Sequence, residues 1–175
     1  MEKIILRQDI LKKLKSHNQS EKLRKDKLLL EALLLTKAYQ ESKVIATYLA
    51  FDFEYNTKLF ISAAQADGKT IVVPKTYGQG NMDFVLYDEE NLEQTRFGLL
   101  EPKSSLAVSK SEIDMIHVPG VVFNSEGYRI GYGGGYYDRY LSDYEGMTVS
   151  TIYDFQKASF VEDVHDIAVK EVLSQ

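Results

Sequence analysis

The chain contains no cysteine and no tryptophan, and only three prolines and three histidines. Without cysteine there is no disulfide framework, thiolate zinc site, iron–sulfur cluster or thiol nucleophile. The histidines, His17, His117 and His165, stand at no metal-ligand spacing and are read as structural. No run approaches the roughly 18 apolar residues of a membrane span. Met1 to Lys15 alternates apolar with charged residues, so no secretory apolar region is expected there. These absences point to a cytoplasmic protein with no membrane partner.

What is present is an ordinary globular composition, 44% hydrophobic and 27% charged over 175 residues. That length supports one domain, residues 1–175, with its own core. The net charge is −5, divided as +5 over residues 1–43 and −10 over the remainder. An acidic chain is a poor general binder of nucleic acid, so RNA and DNA are not expected partners. The basic arm suits a small anionic ligand, or is simply a solvated helix surface.

The apolar spacing predicts helices over residues 3–16 and 21–41, the second capped by Ser20. Ile4, Leu11 and Leu14 would face inward on the first, and Leu23, Leu30, Leu33 and Leu34 on the second. A β-branched run predicts a strand at 44–49, followed by a helix at 56–66 that Gly68 stops. Strands are expected at 70–74, 82–87, 115–118, 121–123 and 148–153, a helix at 136–144 and a last strand within 164–172. Residues 98–102 read as a loop. Strands separated by helices imply a three-layer α/β/α sandwich with a mainly parallel sheet. Ligands in such folds bind beyond the carboxyl ends of the strands.

The most informative segment is 118–141, VPGVVFNSEGYRIGYGGGYYDRYL. Gly131, Gly133, Gly134 and Gly135 precede a predicted helix, where converging backbone N–H groups can cradle a phosphate. A tight-turn loop is the plainer alternative. No Gly-Lys-Ser/Thr follows, and Tyr136 stands where a dinucleotide fingerprint needs its last glycine. Arg129 precedes the loop. Asp138 falls in the first helical turn, where a carboxylate can bind Mg²⁺ beside phosphates or merely favour the helix start. Arg139 reads as a surface or ion-pairing residue. Lys3 and Arg7 share a helix face at i, i+4, either a polyphosphate clamp or a solvated basic face. Glu54 follows the first strand among aromatics, suited to hydrogen-bond an N–H-rich heterocycle or to cap a helix. Asp166 is a second metal carboxylate or a turn residue.

Residues 119–139, with Pro119-Gly120-Val121-Val122-Phe123 and Gly127-Tyr128-Arg129-Ile130-Gly131-Tyr132-Gly133-Gly134-Gly135-Tyr136-Tyr137-Asp138-Arg139, resemble the signature of the 5-formyltetrahydrofolate cyclo-ligase family. Lys3-Ile4-Ile5-Leu6-Arg7, Glu54-Tyr55-Asn56-Thr57, Gly98-Leu99-Leu100-Glu101-Pro102 and His165-Asp166 resemble its shorter motifs, in order. The resemblance implies a fold similar to sugar-phosphate isomerases and CoA transferases. It implies ATP- and Mg²⁺-dependent closure of 5-formyltetrahydrofolate, bare or polyglutamylated, to 5,10-methenyltetrahydrofolate by a monomer. By the same resemblance Lys3 and Arg7 grip ATP phosphates, and Arg129, Ile130, Gly131, Tyr132, Gly133, Gly134, Gly135, Tyr136 and Tyr137 line the nucleotide. Asp138 and Asp166 hold Mg²⁺. Leu49 and Glu54 contact the folate, with Tyr132, Gly133, Gly134, Gly135 and Tyr136 where the two substrates meet. Arg129, Tyr136 and Tyr137 are the implied catalytic side chains. Some members carry Arg where this chain has Tyr132, and Lys75, after the second strand, is the candidate to replace that cation. A non-catalytic folate or nucleotide-binding module, or an ATP-dependent enzyme for another N-formyl substrate, are the alternatives.

Overall fold

The computed structural model describes residues 2–96 and 98–175. Helix α1 (Glu2–Lys15) and helix α2 (Gln19–Leu35) are followed by the short α3 (Lys37–Glu41) and strand β1 (Val44–Ala46). Then come α4 (Thr57–Ala66), β2 (Thr70–Thr76), β3 (Met82–Leu86), β4 (Leu92–Gln94) and β5 (Leu100–Pro102). The chain continues through β6 (Met115–His117), β7 (Val122–Phe123), β8 (Arg129–Ile130), α5 (Tyr136–Leu141), β9 (Met147–Ile152) and β10 (Glu171–Ser174).

Six strands form the central sheet in the order β10-β9-β6-β1-β2-β3. Five run parallel, and only β3 is antiparallel, to β2. From β1 the chain turns one way, to β2 and β3, and later returns to β6 on the other side of β1. That reversal opens a crevice at the carboxyl ends of β1 and β6, the place where such sheets bind ligands.

Alternation along the strands divides the core between two faces. Ile45, Ile71, Val73, Met115 and Val149 pack with Leu14, Leu29, Leu33 and Phe60 of the helices α1, α2 and α4. Ala46, Val72, Ile116 and Ile152 face the other way and meet Tyr140 and Leu141 of α5. The expected three layers are therefore present. Among the described residues no helix is long and apolar enough to cross a membrane.

Several local expectations differ from what folds. Asn18, not Ser20, caps α2, because its side chain accepts the Glu21 N–H at 3.0 Å. The predicted long helix breaks at Thr36, whose hydroxyl accepts the Tyr39 N–H and starts α3 as a separate turn. Leu30, Leu33 and Leu34 face the core as expected, but the first turns of α2 differ. Leu23 is exposed, while Lys22 and Asp26 are buried beside Leu29 and Leu33. Ile4 is exposed too, with Ile10 and Leu14 buried in α1. Helix α5 stops at Leu141, and the last strand is Glu171–Ser174 rather than a stretch within 164–172. Strand β1 ends at Ala46, leaving Thr47 to Asn56 as loop.

Residues 98–102 are not simply a loop. Leu100–Pro102 pairs antiparallel with Leu92–Gln94. Polar contacts from two residues fasten this hairpin to the carboxyl end of β2. The Thr76 N–H donates to Glu101, and the Lys75 ammonium donates to the carbonyls of Pro102, Lys103 and Ser104 at 3.0, 3.0 and 3.2 Å. The Lys75 ammonium thus spends its hydrogen bonds on backbone oxygens of this hairpin.

His117 is structural. It is fully buried on β6 between the hydroxyls of Thr47 and Thr151, at 2.8 and 2.9 Å. Burial pushes its imidazole down to about 3, so it stays neutral and bridges neighbouring strands. His17 packs edge-on against Tyr153 and Phe155.

Candidate active site

The loops beyond the carboxyl ends of β1 and β6 face each other across the crevice. One wall comes from Thr47 to Asn56. Phe51 and Phe53 stack with ring centroids 5.4 Å apart, and Leu49 packs half-buried beside the core. Glu54 is 8% exposed, and its Oε1 accepts the Phe51 N–H at 2.8 Å. Burial pushes its carboxyl up to about 7; the Phe51 N–H, the Tyr132 hydroxyl and the Lys22 charge pull against that rise. Glu54 therefore titrates in the neutral range and can either donate or accept hydrogen bonds there.

The other wall is the glycine loop. The β7–β8 hairpin delivers Arg129 and Ile130 to its base. Gly133 and Gly135 take φ of +102° and +70°, a region closed to ordinary side chains without strain. Gly135 caps α5 with no side-chain hydrogen bond. That helix has only six residues, so an anion here would meet the N–H groups of the loop rather than a long helix dipole. A side chain on Gly134 would collide with the Tyr136 ring, which lies over the loop. A side chain on Gly80, in the turn after β2, would collide with the Arg139 guanidinium. Three loops therefore approach one another here.

Helix α1 closes the end of the crevice. The Arg7 Nε donates to the Gly131 carbonyl at 2.7 Å, which places that guanidinium against the glycine loop. Lys3 donates to Asp163 at 2.9 Å and lies 3.4 Å from Asp166. Desolvation pulls the Lys3 ammonium down, but Asp163 and Asp166 outweigh it and the net direction is up. Lys3, Arg7, Asp166 and the loop are thus brought together from opposite ends of the sequence.

Arg129 is buried, with a terminal nitrogen 3.7 Å from Asp138 and its guanidinium 5.4 Å from the Tyr137 ring centre. Burial pushes it down and Asp138 opposes that shift. Its Nε and the Tyr137 hydroxyl are both buried without a hydrogen-bond partner among the described residues. Two unpaired donors at the root of a glycine loop fit an incoming anion, because burying them unpaired is costly. Asp138 also accepts the N–H of Ile167 at 3.1 Å, so the two candidate metal carboxylates flank one turn. Among the described residues no group of three or more His, Asp or Glu forms a metal cage. Two carboxylates beside a phosphate site do suit Mg²⁺, which keeps waters and takes phosphate oxygens rather than a full protein shell.

Tyr132 joins the walls. It belongs to the glycine loop, lies edge-on to Phe51 at 6.0 Å, and faces Glu54. Burial and the nearby Glu54 carboxylate push its phenol up, so it stays a neutral donor. The hairpin 92–102 and the buried Lys22–Asp26 pair escaped the sequence reading. The i, i+4 spacing of Lys22 and Asp26 was the available signal, but it also describes a solvated ion pair.

The sequence matches the 5-formyltetrahydrofolate cyclo-ligase family over residues 1–175. The chain belongs to that family. Among relatives, it is 30% identical over 184 residues to the mouse (Mus musculus) 5-formyltetrahydrofolate cyclo-ligase, covering 96% of this chain and 91% of the mouse protein. It is 30% identical to the Mycoplasma pneumoniae cyclo-ligase, with 99% of both chains covered. The solved structure of the Aquifex aeolicus 5,10-methenyltetrahydrofolate synthetase is similar with a TM-score of 0.86 and 30% identity, covering 99% of this chain and 90% of that one. The Mycoplasma pneumoniae synthetase structure has a TM-score of 0.81, with 99% and 98% coverage. The cyclo-ligase loops described above are thus set in a fold shared over essentially the whole chain.

Proposed function

We propose that this cyclo-ligase uses MgATP to close 5-formyltetrahydrofolate to 5,10-methenyltetrahydrofolate, releasing ADP and phosphate. The observation that carries the reading is Tyr132. It sits in the glycine loop and faces Glu54, so the phosphate cradle and the heterocycle wall share one crevice.

An N5-formyl group is an amide, a weak electrophile with a poor leaving group. Phosphorylation of its oxygen by the γ-phosphoryl of ATP breaks the β,γ-bridge and gives an N5-iminium phosphate plus ADP. N10 then attacks the formyl carbon, loses its proton, and the C–O bond breaks as phosphate departs. Catalysis of such a transfer is mostly positioning and charge neutralisation.

Lys3 and Arg7 supply cations at one end of the loop, and Arg129 supplies a buried guanidinium at its root. The loop N–H groups from Gly131 to Gly135 bind phosphate oxygens. Tyr137 and Arg129 gain partners for their buried donors when the anion arrives. Asp138 and Asp166 would hold Mg²⁺, which supplies neutralisation of phosphate charge when bound. On the other wall Glu54 anchors the N–H edge of the pterin, with Leu49 and the Phe51–Phe53 stack supplying apolar surface. Tyr136, lying over Gly134, orients the formyl group at the junction.

The test is direct. Purified protein mixed with 5-formyltetrahydrofolate and MgATP should develop the near-ultraviolet absorption of the methenyl product. Omission of either ATP or Mg²⁺ should abolish it. Absence of product with folate still bound would favour a binding module or a different N-formyl substrate.

A further inference from the structure

Beneath the folate wall lies a buried charged cluster that no step above uses. Asp26, on the inner face of α2, is 2% exposed. Its carboxylate accepts the Lys22 ammonium at 2.8 Å and the Tyr153 hydroxyl at 2.6 Å. It also accepts the backbone N–H of Asn56 at 3.4 Å. These contacts join three elements: α2, the carboxyl end of β9 and the loop that follows β1. Two of the three lead into the crevice. Asn56 is two residues from Glu54 and caps α4 through the Lys58 N–H. Tyr153 closes the turn at Gln156 through its own N–H.

We propose that the Lys22–Asp26–Tyr153 network is the positioning device for Glu54, fixing the backbone that carries it. The inference rests on the reading of Glu54 as the folate anchor. A buried ion pair contributes little net stability against an apolar replacement. Its placement is better explained by what it orients. The charged and titratable groups that bear on Glu54 are few: Tyr132 from the glycine loop, Tyr48 from the end of β1, Tyr137 from α5, Tyr153 from β9 and Lys22 from α2. Burial keeps all four phenols neutral. Lys22 favours the Glu54 carboxylate, with its own charge paired to Asp26 at 2.8 Å.

The test compares three variants with the parent, measuring KM for 5-formyltetrahydrofolate and for ATP across neutral pH. Lys22→Met with Asp26→Asn removes both charges but keeps an oxygen for Tyr153 and Asn56. Its folate KM should rise roughly three- to tenfold at neutral pH while ATP KM stays within about twofold. The pH at which folate KM improves should move little, because the cation and the anion of a pair 2.8 Å apart are removed together. Tyr153→Phe keeps both charges and removes one hydrogen bond. It should raise folate KM about twofold without moving the pH midpoint. Glu54→Gln should abolish the pH dependence of folate KM.

A double variant with lowered Tm but the parental folate KM would overturn the proposal, leaving the network a purely structural one. Should the double variant not fold, Tyr153→Phe with unchanged folate KM would overturn it. If Glu54→Gln weakens folate selectively while the network variants do not, the network fails and Glu54 stands. If Glu54→Gln leaves folate KM unaltered, both readings fall.

Discussion

The wall around Glu54 is buried and hydrogen-bonded to its own scaffold, whereas the wall around Gly131–Gly135 is exposed backbone held at its edges. Glu54 has a backbone partner at 2.8 Å and a buried charged cluster behind it. The glycine loop has positive φ at Gly133 and Gly135, one tether from Arg7 and unpaired donors at its root. The difference suits the ligands proposed for the two walls. A pterin edge is flat and neutral and rewards a preformed site. A polyphosphate brings several negative charges and satisfies donors that wait for it. One wall is built before the ligand arrives, and the other is completed by it.

The sharpest way to break this contrast is at the phosphate wall. Asp138→Asn removes a carboxylate from both the metal site and the Arg129 pair, and turnover should fall on the order of 100-fold or more. Folate binding, followed by titration of the intrinsic tyrosine fluorescence, should be nearly unchanged. A parallel loss of folate affinity would mean the walls are not separable.

At the pterin wall Glu54→Gln should raise folate KM roughly 10- to 100-fold, the value of a charge-assisted hydrogen bond. The same variant sharpens the comparison through stability. Glu54 ionises near 4.5 when unfolded and at about 7 when folded. Between those values the folded chain holds a proton that the unfolded chain has released. Stability therefore falls as pH rises through that window. Glu54→Gln removes this linkage, so the variant should gain on the parent by up to about 3 kcal/mol between acid and alkaline pH in urea melts.

Gly135→Ala tests whether the loop conformation itself matters. The left-handed backbone would cost about 1–2 kcal/mol. ATP KM should rise roughly tenfold with folate KM little changed. The smallest effect is expected at Lys75, outside both walls. Lys75→Met should cost about 1 kcal/mol by loosening the 92–102 hairpin, with kcat nearly unchanged. A large loss of ATP affinity there would restore Lys75 as a phosphate cation.

The two walls also differed in how far they could be read from sequence. Four glycines in five residues before Asp138 announce a backbone cradle locally, and the position of Glu54 after a β-branched run places it at a strand end. Lys3, Arg7 and Asp166 needed the family pattern, because nothing local says that the two chain ends meet. The support behind Glu54 was not legible. Lys22 and Asp26 look like a surface pair at i, i+4, and only the packing of α2 turns them inward while exposing Leu23. The 92–102 hairpin was missed because its strands, Leu92–Gln94 and Leu100–Pro102, are short and its anchors, Thr76 and Lys75, lie far upstream. Helix limits shifted where side-chain oxygens at Asn18 and Thr36 captured backbone donors.

The division of labour between the walls is tested most directly by measuring both KM values in Arg7→Ala and Glu54→Gln side by side. The account predicts a crossed pattern. Arg7→Ala raises ATP KM roughly tenfold or more and leaves folate KM within about twofold, and Glu54→Gln does the reverse. Equal loss of both affinities in either variant would contradict it.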